Sequence, residues 1–185
     1  MIEDKIKQKA RSLLMRRAEA VAQAKFGDVI ECQFTAEQIR SGEAAKCVKP
    51  WLDKASGCQT KNPALYAISA GSDAAVKVIW NSFFGLPNAT ARGYQLPRRN
   101  SYRRGQLTLY VGSSKNIQNR LRQHLGEAPK STYALNMQRW CPEFSDGVTV
   151  KVQFCLPDVS SECRQDIEDF LWETMQPIFG KKGRR

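Results

Sequence analysis

The stretch LTLYVGSSKNIQNRLRQHL, residues 107–125, decides the fold of this chain. Its first part is compatible with a β-strand that stops at Gly112, and either Ser113 or Ser114 can cap a helix behind it. The apolar side chains of that helix recur at every fourth position, at Ile117, Leu121 and Leu125. The pattern therefore predicts a strand, a turn and a helix with one buried stripe.

Three polar side chains form a second row on the same helix, at Asn116, Arg120 and His124. An arginine and a histidine one turn apart, beside Tyr110 in the preceding strand, supply a phosphate clamp and two groups that can carry a proton. On an ordinary surface helix the same residues would only face solvent. The interpretation therefore depends on the sequence around them.

The charge of the chain favours a polyanion as its partner. The formal net charge is +11, and residues 74–126 contain nine Lys or Arg and no Asp or Glu. Nucleic acid is the expected partner, because an excess of cations attracts phosphate and speeds encounter with it. A membrane surface is the weaker alternative, and no run approaches the roughly 20 apolar residues that span a bilayer. We expect a cytoplasmic protein without a membrane segment.

The other patterns predict an N-terminal helical extension over residues 1–60, followed by a single domain over residues 61–185. The extension is expected to hold a long basic helix at 2–25 and a short one at 35–45, capped by Thr35 with Gln38 completing a capping box. The apolar face of the long helix is expected to pack on its own domain, on DNA or on a second copy in a homodimer.

The domain is predicted to be of the α/β (α+β) class, with a small three-stranded, mostly antiparallel sheet flanked by helices. The runs that suit strands lie at residues 64–69, 107–112 and 147–154, and VKVIW at 76–80 is also β-compatible. Helices are expected at residues 131–140 and from Ser160 or Ser161 up to Pro177.

A basic insertion at about residues 70–106 separates the first two strands. Its polar part, residues 87–105, interleaves arginines with Tyr94 and Tyr102, a composition that can grip phosphates and stack on exposed bases. A solvated loop is the alternative. The residues expected to bind nucleic acid are Arg98, Arg99, Arg103, Arg104 and Lys115.

The cysteines do not suggest a structural metal site. The chain has six Cys but no CxxC pair, and it has one His to complete a zinc set. We expect reduced thiols, as is usual inside cells. Cys47 and Cys58 could form a disulfide only in an exported protein.

Four short motifs, taken in order, resemble the GIY-YIG nuclease family. The tripeptide ALY at residues 64–66 is similar to the first signature of the family, and YVG at 110–112 is similar to the second. KNIQNRLRQHL at 115–125 resembles the helix that follows. DIEDFLWETMQPIFGKKGR at 166–184 resembles the acidic helix of the family.

This resemblance implies a phosphodiesterase that cuts DNA with the help of Mg²⁺ or Mn²⁺. It implies that Arg120 is a catalytic arginine, that His124 assists, and that Glu168 binds the metal. Tyr66 and Tyr110 are both candidates for the general base, and the sequence does not rank them. Without the resemblance, Glu168 would be interpreted as an ordinary exposed helix residue.

Two departures from the family pattern matter. The family usually joins its two tyrosine strands by a tight hairpin, whereas the basic insertion separates Tyr66 from Tyr110 here. Gly180 stands where the family commonly has an asparagine, so either a neighbouring residue takes over its role or activity is reduced or lost.

The sequence as a whole predicts a divalent-metal-dependent DNA endonuclease. Restriction of foreign DNA is the first expected role, and repair or recombination is the second. A non-catalytic DNA- or RNA-binding module that retains the nuclease scaffold is the main alternative. A ribosome-associated basic protein would explain the charge but not the four motifs.

Overall fold

The computed structural model describes residues 3–56, 60–86, 90–91 and 93–183. Ile2, Cys58, Arg92, Arg184 and Arg185 lie outside the described residues. The elements are, in chain order, α1 (Asp4–Gln23), β1 (Phe26–Phe34), α2 (Ala36–Ser41), α3 (Glu43–Ser56), β2 (Ala64–Ala70), α4 (Asp73–Phe84), β3 (Thr90–Ala91), β4 (Tyr94–Gln95), β5 (Thr108–Ser114), α5 (Ile117–Arg122), β6 (Val148–Cys155) and α6 (Ser161–Met175).

The main sheet of the described part has four antiparallel strands in the order β1-β6-β2-β5. The α+β class is thus confirmed, but the expected count of three strands is wrong. The additional strand is β1, which pairs along the length of β6. Its sequence, FGDVIECQF, alternates weakly because most of its side chains remain partly exposed at the edge of the sheet.

The N-terminal segment is not purely helical, since β1 joins the sheet. The helices expected there do form, and Thr35 caps α2 through the expected capping box with Gln38. Pro50 lies inside α3, although proline usually ends or bends a helix. The domain boundary near residue 60 stays a prediction.

Two further expectations are wrong. VKVIW lies within α4, because Ser72 accepts a hydrogen bond from the N–H of Ala75 and so starts a helix. Residues 131–140 contain only a single 3₁₀ turn, Met137–Arg139, although Leu135 and Trp140 are buried as expected. Short apolar runs fit both kinds of element, and here the cap decides in favour of the helix.

Helix α1 lies on the surface and has no buried residue. It packs on α6 through a charged hydrogen-bonded pair between Arg17 and Asp166, and the thiol of Cys163 lies 3.3 Å from the carbonyl oxygen of Ala20. Its larger apolar side chains remain exposed, at Ile6, Leu13, Leu14, Met15 and Val21. A homodimer through this face stays a prediction.

The core lies between the sheet and the helices α3, α4 and α5, and residues from all of these elements share one buried cluster. The sheet face that carries Leu65, Ala67 and Val111 faces α6 instead. Among the described residues, no helix has the length and apolar character needed to cross a membrane.

Candidate active site

Two tyrosines face each other across neighbouring strands. β2 and β5 pair although the insertion separates them, with Tyr66 opposite Gly112 and Ile68 opposite Tyr110. Directly opposed residues lie on one face of a sheet, and so do residues two apart along a strand. Both rings therefore project from the same face, with centroids 6.1 Å apart and ring planes 9° apart. The two tyrosine strands thus lie side by side although the insertion separates them in the chain.

Gly112 makes room for the hydroxyl of Tyr66. A Cβ atom at residue 112 would lie 2.6 Å from this hydroxyl oxygen, which is closer than real Cβ contacts allow. The glycine is therefore needed here for close approach and not for a left-handed backbone. Any side chain at residue 112 would displace Tyr66.

The turn before α5 differs from the expectation that Ser113 or Ser114 caps the helix. The cap is Asn116, whose side chain accepts a hydrogen bond from the N–H of Asn119 at 3.0 Å. The hydroxyl of Ser114 accepts from the N–H of Asn116 instead. The expected apolar stripe is fully buried, at Ile117 and Leu121 on α5 and at Leu125 in the π-helical turn Gln123–Glu127 that continues it.

The guanidinium of Arg120 connects the two tyrosines. Its Nε donates to the hydroxyl oxygen of Tyr66 at 3.2 Å, and its Nη2 donates to that of Tyr110 at 3.3 Å. The third nitrogen, Nη1, donates to Oε1 of Gln123 at 3.1 Å. Because the guanidinium is a rigid planar fork, these contacts fix both phenol oxygens relative to a single positive charge.

His124 reaches Tyr66 from the interior of the protein. The imidazole is completely buried, and its Nε2 lies 2.9 Å from the hydroxyl oxygen of Tyr66. The backbone N–H of Leu135 donates to Nδ1 at 3.2 Å. A neutral imidazole that accepts at Nδ1 carries its proton on Nε2, so His124 is a donor to Tyr66.

Burial lowers the pKa of His124 well below its usual value, and the positive charge of Arg120 lowers it further. The ring is therefore neutral near pH 7. The N–H of Leu135 is available to it because residues 131–136 are not helical, contrary to the expectation for this segment.

Two N–H groups thus converge on the oxygen of Tyr66. Burial raises the pKa of this phenol well above its usual value, the neighbouring Tyr110 raises it further, and Arg120 opposes the shift. The hydroxyl is therefore protonated in the free protein. The hydroxyl oxygen accepts hydrogen bonds from Arg120 and His124, so the hydroxyl proton of Tyr66 can be donated to a third group.

Glu168 approaches from the other side of the sheet. The hydroxyl of Ser113 donates to Oε2 of Glu168 at 2.5 Å. Ser113 follows Gly112 along β5 and so projects from the face opposite to Tyr66. Because β5 ends the order of the sheet, the candidate site lies on both sides of this strand.

The carboxylate of Glu168 suits a single hard cation. Burial raises its pKa, and the hydrogen bond from Ser113 is the main opposing effect. Carboxylate oxygen is the ligand that Mg²⁺ prefers, and this ion commonly keeps several waters. No group of three or more His, Cys, Asp or Glu side chains in the described part of the chain could hold a metal by itself. Glu168 thus fits a metal that is shared with water and substrate.

A cleft of about 250 Å³ opens in front of Tyr110 and Arg120. Two further cationic residues, Arg98 and Lys181, contribute to its wall. The remaining lining residues are Pro97, Tyr133 and Gly180. Tyr133 had no signal in the sequence, whereas Lys181 belongs to the basic run KKGRR at residues 181–185.

Gly180 packs directly on Tyr110. Its φ is +98°, and a Cβ atom there would lie 3.0 Å from Cε2 of Tyr110. The side-chain amide of Asn100 donates to the carbonyl oxygens of Pro177 at 2.9 Å and Gly180 at 3.0 Å. Asn100 of the insertion therefore holds the turn at Gly180, the position where the family commonly has an asparagine.

The cationic residues that were expected to bind nucleic acid do not lie together in the structure. Arg98 lines the cleft, and Arg99 lies on an aromatic surface outside it. Arg103 and Arg104 are exposed farther along the insertion, and Lys115 is exposed in the turn before α5. Their roles in binding stay predictions.

Residues 101–172 match the family model described as the GIY-YIG catalytic domain. This region is therefore similar to GIY-YIG catalytic domains. The resemblance drawn from the motifs is thereby confirmed, and such a domain implies nuclease activity. The match includes Tyr110, Arg120, His124 and Glu168 and begins after Tyr66. No curated protein and no solved structure matches the chain.

Replacement of Gly112 by alanine tests the close approach of Tyr66 to β5. We expect Gly112→Ala to reduce the rate of phosphodiester cleavage by roughly 100-fold, because a shift of about 1 Å at a reacting group has that effect. Gly85→Ala is the control, since the nearest atom to its added Cβ is 3.6 Å away. Equal cleavage rates for the two folded variants would contradict the role of Gly112.

The single histidine of the chain permits a direct test of its protonation. In the folded protein we expect its proton NMR signals not to titrate between pH 8 and about 5.5, since burial lowers its pKa. Titration near 6.5 would contradict this.

The same shift sets a pH dependence of stability. Below about pH 6.5 the unfolded chain binds a proton that the folded chain does not, so the free energy of unfolding falls as pH falls, by at most about 1.4 kcal/mol per pH unit. Denaturant unfolding of the wild type and His124→Gln measures this slope, which the variant should lack.

Proposed function

We propose that this protein is a divalent-metal-dependent DNA endonuclease that hydrolyses phosphodiester bonds. The observation that carries the proposal is the single guanidinium of Arg120, which donates to both tyrosine hydroxyls at the wall of a cationic cleft. Hydrolysis of a phosphodiester requires charge stabilisation at phosphate and a group that accepts a proton from water. Both kinds of group meet at this point.

The cleft supplies the positive charge. Arg120, Arg98 and Lys181 line it together, so a phosphate in the cleft would lie among three cations. Arginine binds phosphate oxygens through a planar fork, and charge that develops in the transition state is stabilised by donors that are already in place. In the proposed role, Arg120 contacts the scissile phosphate and the other two cations hold the strand.

Tyr66 is the proposed general base. Two N–H donors, from Arg120 and His124, face its oxygen, and such donors favour the phenolate over the phenol. Because burial raises its pKa, Tyr66 is protonated in the free protein. Tyr110 lines the cleft and is proposed to contact substrate while it stacks on Tyr66.

His124 is proposed to orient Tyr66 and not to relay its proton. Its Nε2 already carries a proton, and its Nδ1 accepts from the backbone of Leu135. Neither nitrogen is therefore free to accept the tyrosine proton in this arrangement. The imidazole donates to the phenol oxygen and stabilises negative charge there.

Glu168 is the proposed ligand of Mg²⁺ or Mn²⁺, with Ser113 fixing one of its oxygens. A bound divalent cation would supply Lewis-acid stabilisation of the phosphate and of the leaving oxygen. Burial destabilises the ionised carboxylate of Glu168 and so raises its pKa. A nearby cation would offset this destabilisation.

The main alternative is a non-catalytic nucleic-acid-binding module, which the missing asparagine at residue 180 would favour. Asn100 weakens this alternative, because its amide already holds the backbone of Pro177 and Gly180. We propose that Asn100 keeps this turn in place against Tyr110.

The substrate and the biological role rest on broader features. The nuclease domain and the net charge of +11 support DNA as the substrate, in a cytoplasmic enzyme. Restriction of foreign DNA is the first proposed role, and repair or recombination is the second.

The proposed activity is tested by nicking of supercoiled plasmid under single-turnover conditions. We expect cleavage with Mg²⁺ or Mn²⁺ and none with EDTA, and we expect Glu168→Gln to slow cleavage by on the order of 100-fold or more. Glu173→Gln is the matched control, since Glu173 lies on the same helix, is exposed and pairs with Lys182. Absence of metal-dependent nicking by folded wild-type protein on varied DNA would favour the binding module.

A further inference from the structure

An aromatic and cationic surface lies on the insertion, outside the cleft. Trp80 and Phe84 are one turn apart on α4, with ring centroids 5.3 Å apart. The guanidinium carbon of Arg99 lies 4.0 Å from the ring centroid of Phe84 and 5.8 Å from that of Trp80. Phe84 is 56% exposed, which is unusual for so large an apolar side chain. We refer to Trp80, Phe84 and Arg99 as the stacking surface.

The stacking surface is held in place before any ligand binds. The indole N–H of Trp80 donates to the carbonyl oxygen of Asn100 at 3.3 Å. The ring of Tyr102 lies 6.3 Å from that of Trp80, and its hydroxyl donates to Asp73 at 2.8 Å. A binding surface that is already ordered loses little conformational entropy when it takes up a ligand.

The tyrosines that the sequence suggested for base stacking are engaged elsewhere. The guanidinium of Arg139 covers Tyr94 at 3.7 Å, and Tyr102 is tied to Asp73 by its hydroxyl. Asp73 also accepts from the N–H of Gly105, and these two contacts lower its pKa. The rings that offer stacking area are those of α4, where the sequence had suggested a strand.

Three consecutive residues connect this surface to the cleft. Arg98 lines the cleft with Tyr110 and Arg120, Arg99 lies on the stacking surface, and Asn100 holds the turn at Gly180. Neighbouring residues in an extended chain are about 3.3 Å apart along it. Successive side chains point to opposite sides, so the cleft and the stacking surface flank the same short segment, and one nucleic-acid strand that passes over this segment can contact both.

We infer that Trp80, Phe84 and Arg99 form a binding site for an unpaired base of the nucleic acid whose phosphate occupies the cleft. This inference rests on the proposed function. Aromatic faces and guanidinium planes stack on any base once it is free of its partner strand, and neighbouring cations track the phosphates. The same two segments also carry exposed cations, at Lys77 on α4 and at Arg98, Arg103 and Arg104 on the insertion.

The inference names a class of substrate. A base within a continuous duplex is stacked on its neighbours and cannot reach a protein ring without being extruded, which costs free energy. The protein is therefore expected to prefer DNA that already has unpaired nucleotides next to the scissile phosphate, such as a flap, a gap or a branch.

The experiment compares two DNA probes in the presence of EDTA and in the Glu168→Gln background. One probe is a duplex with a short single-stranded flap that contains 2-aminopurine, and the other is a fully paired duplex of equal length. We expect the flap probe to bind about tenfold more tightly, with quenching of its fluorescence, because stacking on one aromatic ring contributes on that scale.

Phe84→Ala is expected to remove both the preference and the quenching while leaving affinity for the paired duplex unchanged. Val78→Ala is the matched control, since Val78 is exposed on the same helix and is not part of the stacking surface. Arg99→Gln is a second variant that leaves the helix intact, and it should weaken the preference in the same way.

Equal binding of the two probes by the parent protein, or a preference that survives in Phe84→Ala, would overturn the inference. A poly-glutamate peptide that binds the parent protein but not Phe84→Ala, without any preference for the flap, would assign the surface to an acidic protein partner and also overturn it. Binding is measured without metal, so a failure to cut plasmid would remove the proposed nuclease function and leave this result intact.

Discussion

The site depends on one guanidinium shared between two phenols. Arg120 can donate to Tyr66 and Tyr110 together only if β2 and β5 keep their register and if residue 112 has no side chain. The buried stripe of α5 fixes the helix that carries this arginine. A slip of one residue in either strand would move one tyrosine to the opposite face of the sheet, so the site and the fold are specified by the same contacts.

The insertion contributes residues to the candidate site. The carbonyl oxygen of Arg98 accepts a hydrogen bond from the N–H of Gly180, and the N–H of Asn100 donates to the carbonyl oxygen of Ile178. Arg99 and Phe179 form a bridge between these two contacts. The insertion thus contributes Arg98 to the wall of the cleft. Its other side carries Arg99 of the stacking surface. This arrangement explains how the chain accommodates so large a separation between Tyr66 and Tyr110.

The sequence predicted best where several signals agreed. The β5–α5 unit carried a strand pattern, a polar turn and an apolar stripe. The expected cap was wrong, and so was the expected strand end at Gly112, since β5 continues to Ser114. Ser113 was expected to cap α5 because serine is a good cap, but its hydroxyl binds Glu168 across a distance of 55 residues in the chain. Such a long-range partner leaves no trace in local spacing.

Other features could not be obtained from local pattern. VKVIW is equally apolar as a strand and as a helix, and a hydrogen bond to Ser72 decides between them. β1 is recognised only through its pairing with β6. Tyr133 lines the cleft because of how an irregular segment folds, and the neutral donor state of His124 depends on a backbone N–H from that same segment.

The assignment of Tyr66 as the base is tested most directly by the pH dependence of single-turnover DNA cleavage. Since the pKa of Tyr66 is raised, its phenolate fraction grows about tenfold per pH unit below that pKa, and the cleavage rate of the wild type should rise with this slope between about pH 6 and 8.5. Tyr66→Phe should be slower by on the order of 100-fold and lose the slope, while Tyr110→Phe should keep it. A Tyr66→Phe variant that retains the wild-type slope, with the slope lost in Tyr110→Phe, would contradict the assignment.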